Sequence, residues 1–303
     1  MTDPILHPLR SDGEVFAVDD SGDFIAMLEL TLSASERVRG FTDAREALAL
    51  LHAREAQTRT RLRETEKALQ EDSAGDLLPP LLADPAITDQ VCVVIADYAM
   101  PPMTGLELFS ALGDARAQRI LLTGVADNEV AVRAFNAGLI QRFVSKADGD
   151  ALAALSTVIG ALRERCLAER CARLRTLLIE RGAAIFEDAE AQAAVSAAMD
   201  AAGVRDYAYT FSPPGFVCRL ADGSTRALVI ASEELMRAHR EVAADQGAPA
   251  ALMDALRAGT LIPCFPGHPN GFFDAAHADH YADFCPPAEP AGDRHRMAWA
   301  PRR

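Results

Sequence analysis

The chain has 303 residues, half of them apolar, and a formal net charge of −14, of which −4 falls from residue 149 onward and −10 before it. That length suggests about two domains of ~150 residues each, and the acidity of both halves disfavours nucleic-acid partners, which are held by clustered Lys and Arg. No apolar run approaches the ~20 residues that span a bilayer, Cys92, Cys166, Cys171, Cys218, Cys264 and Cys285 are scattered rather than spaced as a disulfide framework, and Met1-Thr2-Asp3-Pro4 does not open a secretory leader; a cytoplasmic protein with no membrane partner is expected.

Glu14–Val18 is a short apolar run with β-branched and aromatic members, ends at Asp19-Asp20, and reads as a first parallel strand. Ser21 or Asp23 can cap a helix whose apolar face is Phe24, Met27, Leu28, Leu30 and Leu32. Arg37–Phe41 is a weaker strand, and Thr42-Asp43 opens a second helix. From His52 to about Ser73 the chain is charged and helical in propensity, with Arg54, Arg59, Arg61 and Arg63 among Glu55, Glu64 and Glu66, a pattern that suits a solvated helix with i, i+4 pairs. Pro79, Pro80 and Pro85 break it.

Val91–Ala96 is a continuous apolar run that ends in Asp97, and a helix from Gly105 follows it. Arg119–Thr123 is a strand, Asn128–Ala137 a helix and Arg142–Lys146 the last strand. This alternation predicts an α/β fold, a doubly wound five-stranded parallel sheet. In that topology the strand ends converge on one crevice and bring Asp19, Asp20, Asp97, Thr123 and Lys146 together. Each pair of crowded carboxylates costs about 4 kcal/mol at ~4 Å in an effective dielectric of 20, so a cation must hold them. Oxygen-only ligands favour a hard ion such as Mg2+. A carboxylate there can also attack phosphorus and form an acyl phosphate, with Lys146 and the Thr123 hydroxyl facing the transferring oxygens.

Over roughly Gly13 to Asp148 the chain resembles the receiver domain of two-component response regulators. The resemblance rests on Asp19-Asp20, on Asp97-x-x-Met100-Pro101-x-Met103-x-Gly105, on Leu121-Leu122-Thr123-Gly124 and on Phe143-x-x-Lys146. It implies that Asp97 is the phosphoacceptor, that Asp19, Asp20 and Asp97 bind Mg2+, that Thr123 and Phe143 form a conformational switch and that Lys146 contacts the phosphoryl group. The implied partner is a histidine kinase or phosphotransfer protein. Three features depart from the family pattern: Ala147 stands where proline is usual, Gly124 where alanine is usual, and about 52–90 is an insertion.

Residues 149–182 read as a connecting helix that packs on a partner, on the second domain or on a second copy in a homodimer. Its arginines, Arg163 and Arg170 among them, are interleaved with acids and read as solvated. Residues 183–303 read as a small α+β domain. In it, a helix over Glu187–Ala202 and a strand over Asp206–Phe211 precede a hairpin whose arms, Phe216–Leu220 and Thr225–Ile230, flank Ala221–Ser224; a helix then starts at Ser232. Cys264, His268, His277, His280 and Cys285 offer metal-ligand chemistry, but their spacings match no standard zinc module, so loop histidines without a metal are the preferred reading. The expected function is a response regulator with a non-DNA-binding output toward an unidentified protein or small ligand. The alternatives are an enzymatic or metal-binding output and a phosphate sink or scaffold.

Overall fold

The computed structural model describes residues 6–71, 76–124 and 128–301. The leader reading at residues 1–4 and the end of the charged helix near Ser73 lie outside these residues. Two compact units are formed, one from Asp12–Glu64 with Ala83–Ala172, the other from the residues up to Ser11, Thr65–Leu82 and Arg173 onward. A two-residue strand, β1 (Leu9–Arg10), belongs to the second unit.

The first unit runs β2 (Glu14–Val18), α1 (Gly22–Leu32), β3 (Val38–Phe41), α2 (Ala44–Gln70, which passes into the second unit at Thr65), α3 (Pro85–Thr88), β4 (Val91–Asp97), α4 (Gly105–Ala111), β5 (Gln118–Thr123), α5 (Asn128–Asn136), β6 (Arg142–Ser145), α6 (Gly149–Ala153) and α7 (Leu155–Glu180, which passes into the second unit at Arg173). The strands pair in parallel in the order β3-β2-β4-β5-β6, the doubly wound sheet that the alternating pattern predicts. Every residue of β4 is buried, as a strand covered on both faces must be. Period-2 alternation sends Phe16, Val18, Val94 and Leu121 to one apolar layer, packed against α2, α4 and α5. Val15, Ala17, Val93, Ile95 and Ile120 go to the other, packed against α1 and α7.

The helix expected to leave the receiver at residue 149 instead supplies part of its core. Leu155, Ile159, Leu162, Cys166 and Leu167 of α7 are buried in the second layer. Two arginines read as solvated are buried as well. Arg163 pairs with Glu36; Arg170 donates to Gln90 Oε1 at 2.7 Å, Glu55 Oε2 at 2.6 Å and the Val91 carbonyl at 3.0 Å. Desolvating a guanidinium is costly, and here the cost is offset because acceptors lie where its N–H donors need them.

The insertion is not a separate arm at its start. Helix α2 continues the second receiver helix without a break through 27 residues. Arg54 binds Asp89 at 2.8 Å, Arg61 binds Asp84 at 2.6 Å and Thr58 Oγ1 donates to the Ala86 carbonyl at 2.7 Å. Those contacts tie the helix to the segment before β4.

The second unit adds α8 (Ala189–Ala201), β7 (Val204–Phe211), β8 (Pro214–Leu220), β9 (Thr225–Ser232), α9 (Glu233–Asp245), α10 (Ala250–Ala258), β10 (Glu289–Ala291) and β11 (His295–Trp299). They form an antiparallel sheet in the order β1-β7-β8-β9-β11-β10. The β8–β9 hairpin and the start of α9 follow the sequence pattern, and the Ser232 hydroxyl caps α9 by accepting from Leu235 N–H. Tyr207, Tyr209 and Phe216 pack around one another and Phe186. On the opposite face Val229, Ala231 and Ala298 meet α9, α10 and Phe265.

Replacing Arg170 with alanine leaves the mostly buried Glu55 to its longer contact with Arg59 at 3.6 Å, and removal of one partner of such a buried pair costs about 3–5 kcal/mol. Arg165, whose pair with Glu169 is mostly exposed, contributes less than about 1 kcal/mol. Urea unfolding of Arg170→Ala and Arg165→Ala measures the contrast; equal losses in the two variants contradict the assignment.

Candidate functional site

Strands β2, β4 and β5 end at the same edge of the parallel sheet, and the chain just past β6 joins them there. Asp19 follows β2, Asp97 closes β4, Thr123 closes β5 and Lys146 follows β6. Asp19 and Thr123 are fully buried and Asp97 is 7% exposed. Lys146 Nζ lies 2.6 Å from Asp19 Oδ2 and 2.9 Å from Asp97 Oδ1, so one ammonium bridges two carboxylates that would otherwise repel. It also sits 4.5 Å from the centre of the Phe24 ring, a cation–π contact.

Backbone geometry fixes each of these groups. Ser21 N–H donates to Asp19 Oδ1 at 3.0 Å, and Ala99 N–H donates to Asp97 Oδ2 at 3.2 Å. Lys146 N–H donates to the Thr123 carbonyl at 3.0 Å. Where the family pattern has proline, Ala147 N–H donates to Ser145 Oγ at 3.3 Å, and the lysine still reaches both acids. Gly105 is required by close approach: a Cβ there would lie 2.2 Å from the Asp97 carbonyl oxygen. Thr104 caps α4 with a capping box completed by Glu107, which holds the loop after Asp97.

Burial raises the Asp97 pKa above its usual value against the pull of Lys146. The Lys146 ammonium is itself disfavoured by burial, but its hydrogen bonds to Asp19 and Asp97 win and its pKa is raised. Asp19, Asp20 and Asp97 offer carboxylate oxygens that all lie within 4.8 Å of one another. This all-oxygen set fits a hard divalent cation such as Mg2+. Thr123 Oγ1 is buried and has no hydrogen-bond partner among the described residues, so it faces the site as an unused donor. Phe143 is 39% exposed, with its ring centre 6.4 Å from that of Phe135 on α5.

The sulfur and imidazole set of the second unit does not come together. Among the described residues Asp19, Asp20 and Asp97 alone form a group of three or more potential metal ligands; Cys264, His268, His277, His280 and Cys285 do not. His277 Nδ1 is 3.1 Å from Asp274 Oδ2, and His268 Nδ1 accepts from Asn270 N–H. The Cys264 thiol donates to the Ile262 carbonyl, and burial pushes the Cys285 thiol up to about 12, which keeps it protonated and a poor ligand. These residues are near in sequence, but their ligand atoms do not converge.

Sequence reasoning missed a second polar constellation, Asp188 with His295. Their Oδ2 and Nδ1 are 3.1 Å apart and both residues are buried. They stand 107 positions apart, so no local spacing could signal the pair.

A five-stranded doubly wound sheet with two acids after its first strand, an aspartate, a threonine and a lysine at the next ends is the fold of response-regulator receiver domains, here joined to an additional α+β unit. Over 98% of this chain and 90% of the other, the structure matches the response regulator LqsR of Legionella pneumophila, with a TM-score of 0.76 and 23% sequence identity. Two half-chain matches are weaker. One is an adenylate cyclase from Rhodopirellula baltica (TM-score 0.38, 19% identity, 55% of this chain and 98% of that one), the other a receiver-domain protein from Clostridium thermocellum (TM-score 0.35, 17% identity, 50% and 95%). At those scores neither bears on activity. No protein-family model and no curated protein matches the sequence.

Because the Lys146 pKa is raised from 10.5, its pairing contributes stability that is complete below that value and is lost as pH rises through the higher folded-state value. Lys146→Met, which strands Asp19 and Asp97 together, is expected to lose about 1–3 kcal/mol at pH 7. Wild type and variant should converge as the pH is taken above 10.5. Chemical denaturation across that range checks both statements, and a pH-independent difference contradicts them.

Proposed function

We propose that the protein is a two-component response regulator whose Asp97 accepts a phosphoryl group. The observation that carries this reading is the single ammonium of Lys146 shared by Asp19 and Asp97 beside the unused hydroxyl of Thr123. No acid–base catalyst is needed for such a transfer, because positioning and charge neutralisation do most of the work.

The Asp97 carboxylate supplies the electron pair for a new O–P bond, while the donor's bond to phosphorus breaks and the donor leaves with that electron pair. The donor is a phosphohistidine of a histidine kinase or phosphotransfer protein, or a small acyl phosphate. Asp19, Asp20 and Asp97 would hold Mg2+, which when bound supplies positive charge to the phosphoryl oxygens. Lys146 exchanges one carboxylate partner for a phosphoryl oxygen and keeps the other. Thr123, buried without a partner, donates its O–H to another phosphoryl oxygen. That inward move vacates space toward which Phe143, half in solvent, can turn.

The second unit is the output. Its net acidity with residues 149 onward at −4 supports a protein or small-ligand output over nucleic acid. No helix among the described residues is long and apolar enough to cross a membrane, in keeping with a cytoplasmic role.

With acetyl phosphate and Mg2+, wild-type protein should gain acid-labile phosphate, also released by hydroxylamine, that Asp97→Asn lacks, read by intact-mass spectrometry. Equal incorporation in the two proteins would sink the assignment. Thr123→Ala should still be phosphorylated, yet lose the phosphorylation-induced change in the amide spectrum around Phe143. A full change in that variant removes Thr123 from the relay.

A further inference from the structure

A cleft of about 510 Å3 opens within the second unit, inside the ~300–1,000 Å3 range of small-molecule sites. It is lined by Tyr209, Phe211, Phe272 and His295, with Glu233 and Glu234 from the start of α9. Two of these polar residues are almost wholly buried, Tyr209 at 4% and His295 at 6% exposed. The Tyr209 ring packs against Phe186 and Phe216, while its hydroxyl has no hydrogen-bond partner among the described residues. That oxygen is not one of the fully enclosed unpaired atoms, so it opens onto the cleft that Tyr209 lines.

His295 supplies the second. Its Nδ1–H donates to Asp188 Oδ2 at 3.1 Å, and Asp188 is in turn held by Ala191 N–H at 3.1 Å and by Arg294 Nε at 3.2 Å. This arrangement fixes the tautomer and leaves Nε2 as an acceptor. Burial holds the imidazole below its usual pKa even against Asp188, so it is neutral near pH 7. The cleft's rim is net acidic: Glu233 and Glu234 are exposed and have no ion-pair partner among the described residues, whereas the cleft's arginine, Arg294, pairs with Asp188. Acids at a helix start are favourable in themselves, and it is the unused Tyr209 and His295 atoms beside them that mark a ligand.

We propose that this cleft binds a small aromatic amine. Its ring lies against the aromatic wall of Tyr209, Phe211 and Phe272, its ammonium donates to the Tyr209 hydroxyl oxygen and faces Glu233 and Glu234, and a ring N–H or O–H donates to His295 Nε2. The aromatic faces and the acids both favour a cation, and the neutral imidazole selects a donor on the ring. This site stands whether or not Asp97 takes a phosphoryl group.

Isothermal titration of the full-length protein with tryptamine and tyramine, and with indole-3-acetate as the anionic counterpart, tests it. The amines should bind with a Kd below about 1 mM and indole-3-acetate at least about tenfold more weakly. Tyr209→Phe keeps the ring and removes the hydroxyl; Glu233→Gln with Glu234→Gln alters solvent-facing groups alone, so a folded protein is retained for at least one arm. Each should weaken the amines by roughly tenfold, which is about 1.4 kcal/mol. Tighter binding of indole-3-acetate, amine binding indifferent to both sets of changes, or no binding at about 10 mM overturns the proposal.

Discussion

The ammonium of Lys146, held between Asp19 and Asp97, is the interaction on which the arrangement of the first unit turns. A parallel sheet delivers the carboxyl ends of its strands to one edge, and here that edge receives two acids that are almost fully buried. Neither can be solvated there as it would be in water, and Asp19 adds to the cost of ionising Asp97. One cation placed within hydrogen-bond reach of both offsets the repulsion without filling the remaining oxygen positions. The loops are built around that compromise: backbone amides brace the far oxygens, and the glycine that opens α4 lets the chain pass against the Asp97 carbonyl. The outcome is a site that is held together yet under-coordinated, which suits a group meant to react.

How much of this was legible in the sequence depended on whether a signal was local. Val91–Ala96 reads as a buried strand because its apolar run is continuous, and once five such units alternate with helices the convergence of Asp19, Asp97, Thr123 and Lys146 follows from topology alone. Arg163 and Arg170 gave the opposite impression. Charged residues on a helix normally face water, and only partners 127, 80 and 115 positions away, Glu36, Gln90 and Glu55, make their burial tolerable. Strand β1 has two residues and β10 three, too short for a period of two to register. The Cys264–Cys285 set shows the converse limit: closeness along the chain offers metal-ligand chemistry, although non-standard spacings make loop histidines without a metal the preferred reading, and the ligand atoms do not converge.

The second unit shows the same economy of buried polar groups. Asp188 caps α8, anchors Arg294 and orients His295 through one carboxylate, so a helix start and a strand from the far end of the unit are fastened at a single residue. The strong preference of buried carboxylates for multiple donors explains why the pair survives in a region otherwise dominated by Phe186, Tyr209 and Phe216. It also means that the acid which orients the imidazole is itself part of the frame and cannot be removed without loosening α8.

Strand β1 carries an implication for how the polypeptide is assembled. Leu9 pairs with Ala208 and Arg10 with Tyr207, so the edge of the antiparallel sheet is supplied by residues made almost two hundred positions before their partners. During synthesis that segment must wait, unpaired, while the whole parallel sheet emerges and folds behind it, and loop closure over such a span is slow to be rewarded. The parallel unit is thus nested in the other's chain rather than preceding it. A gene fragment beginning after α7 would encode a sheet with β7 uncovered, and an open edge of that kind recruits other strands; the two units were built to be inherited together.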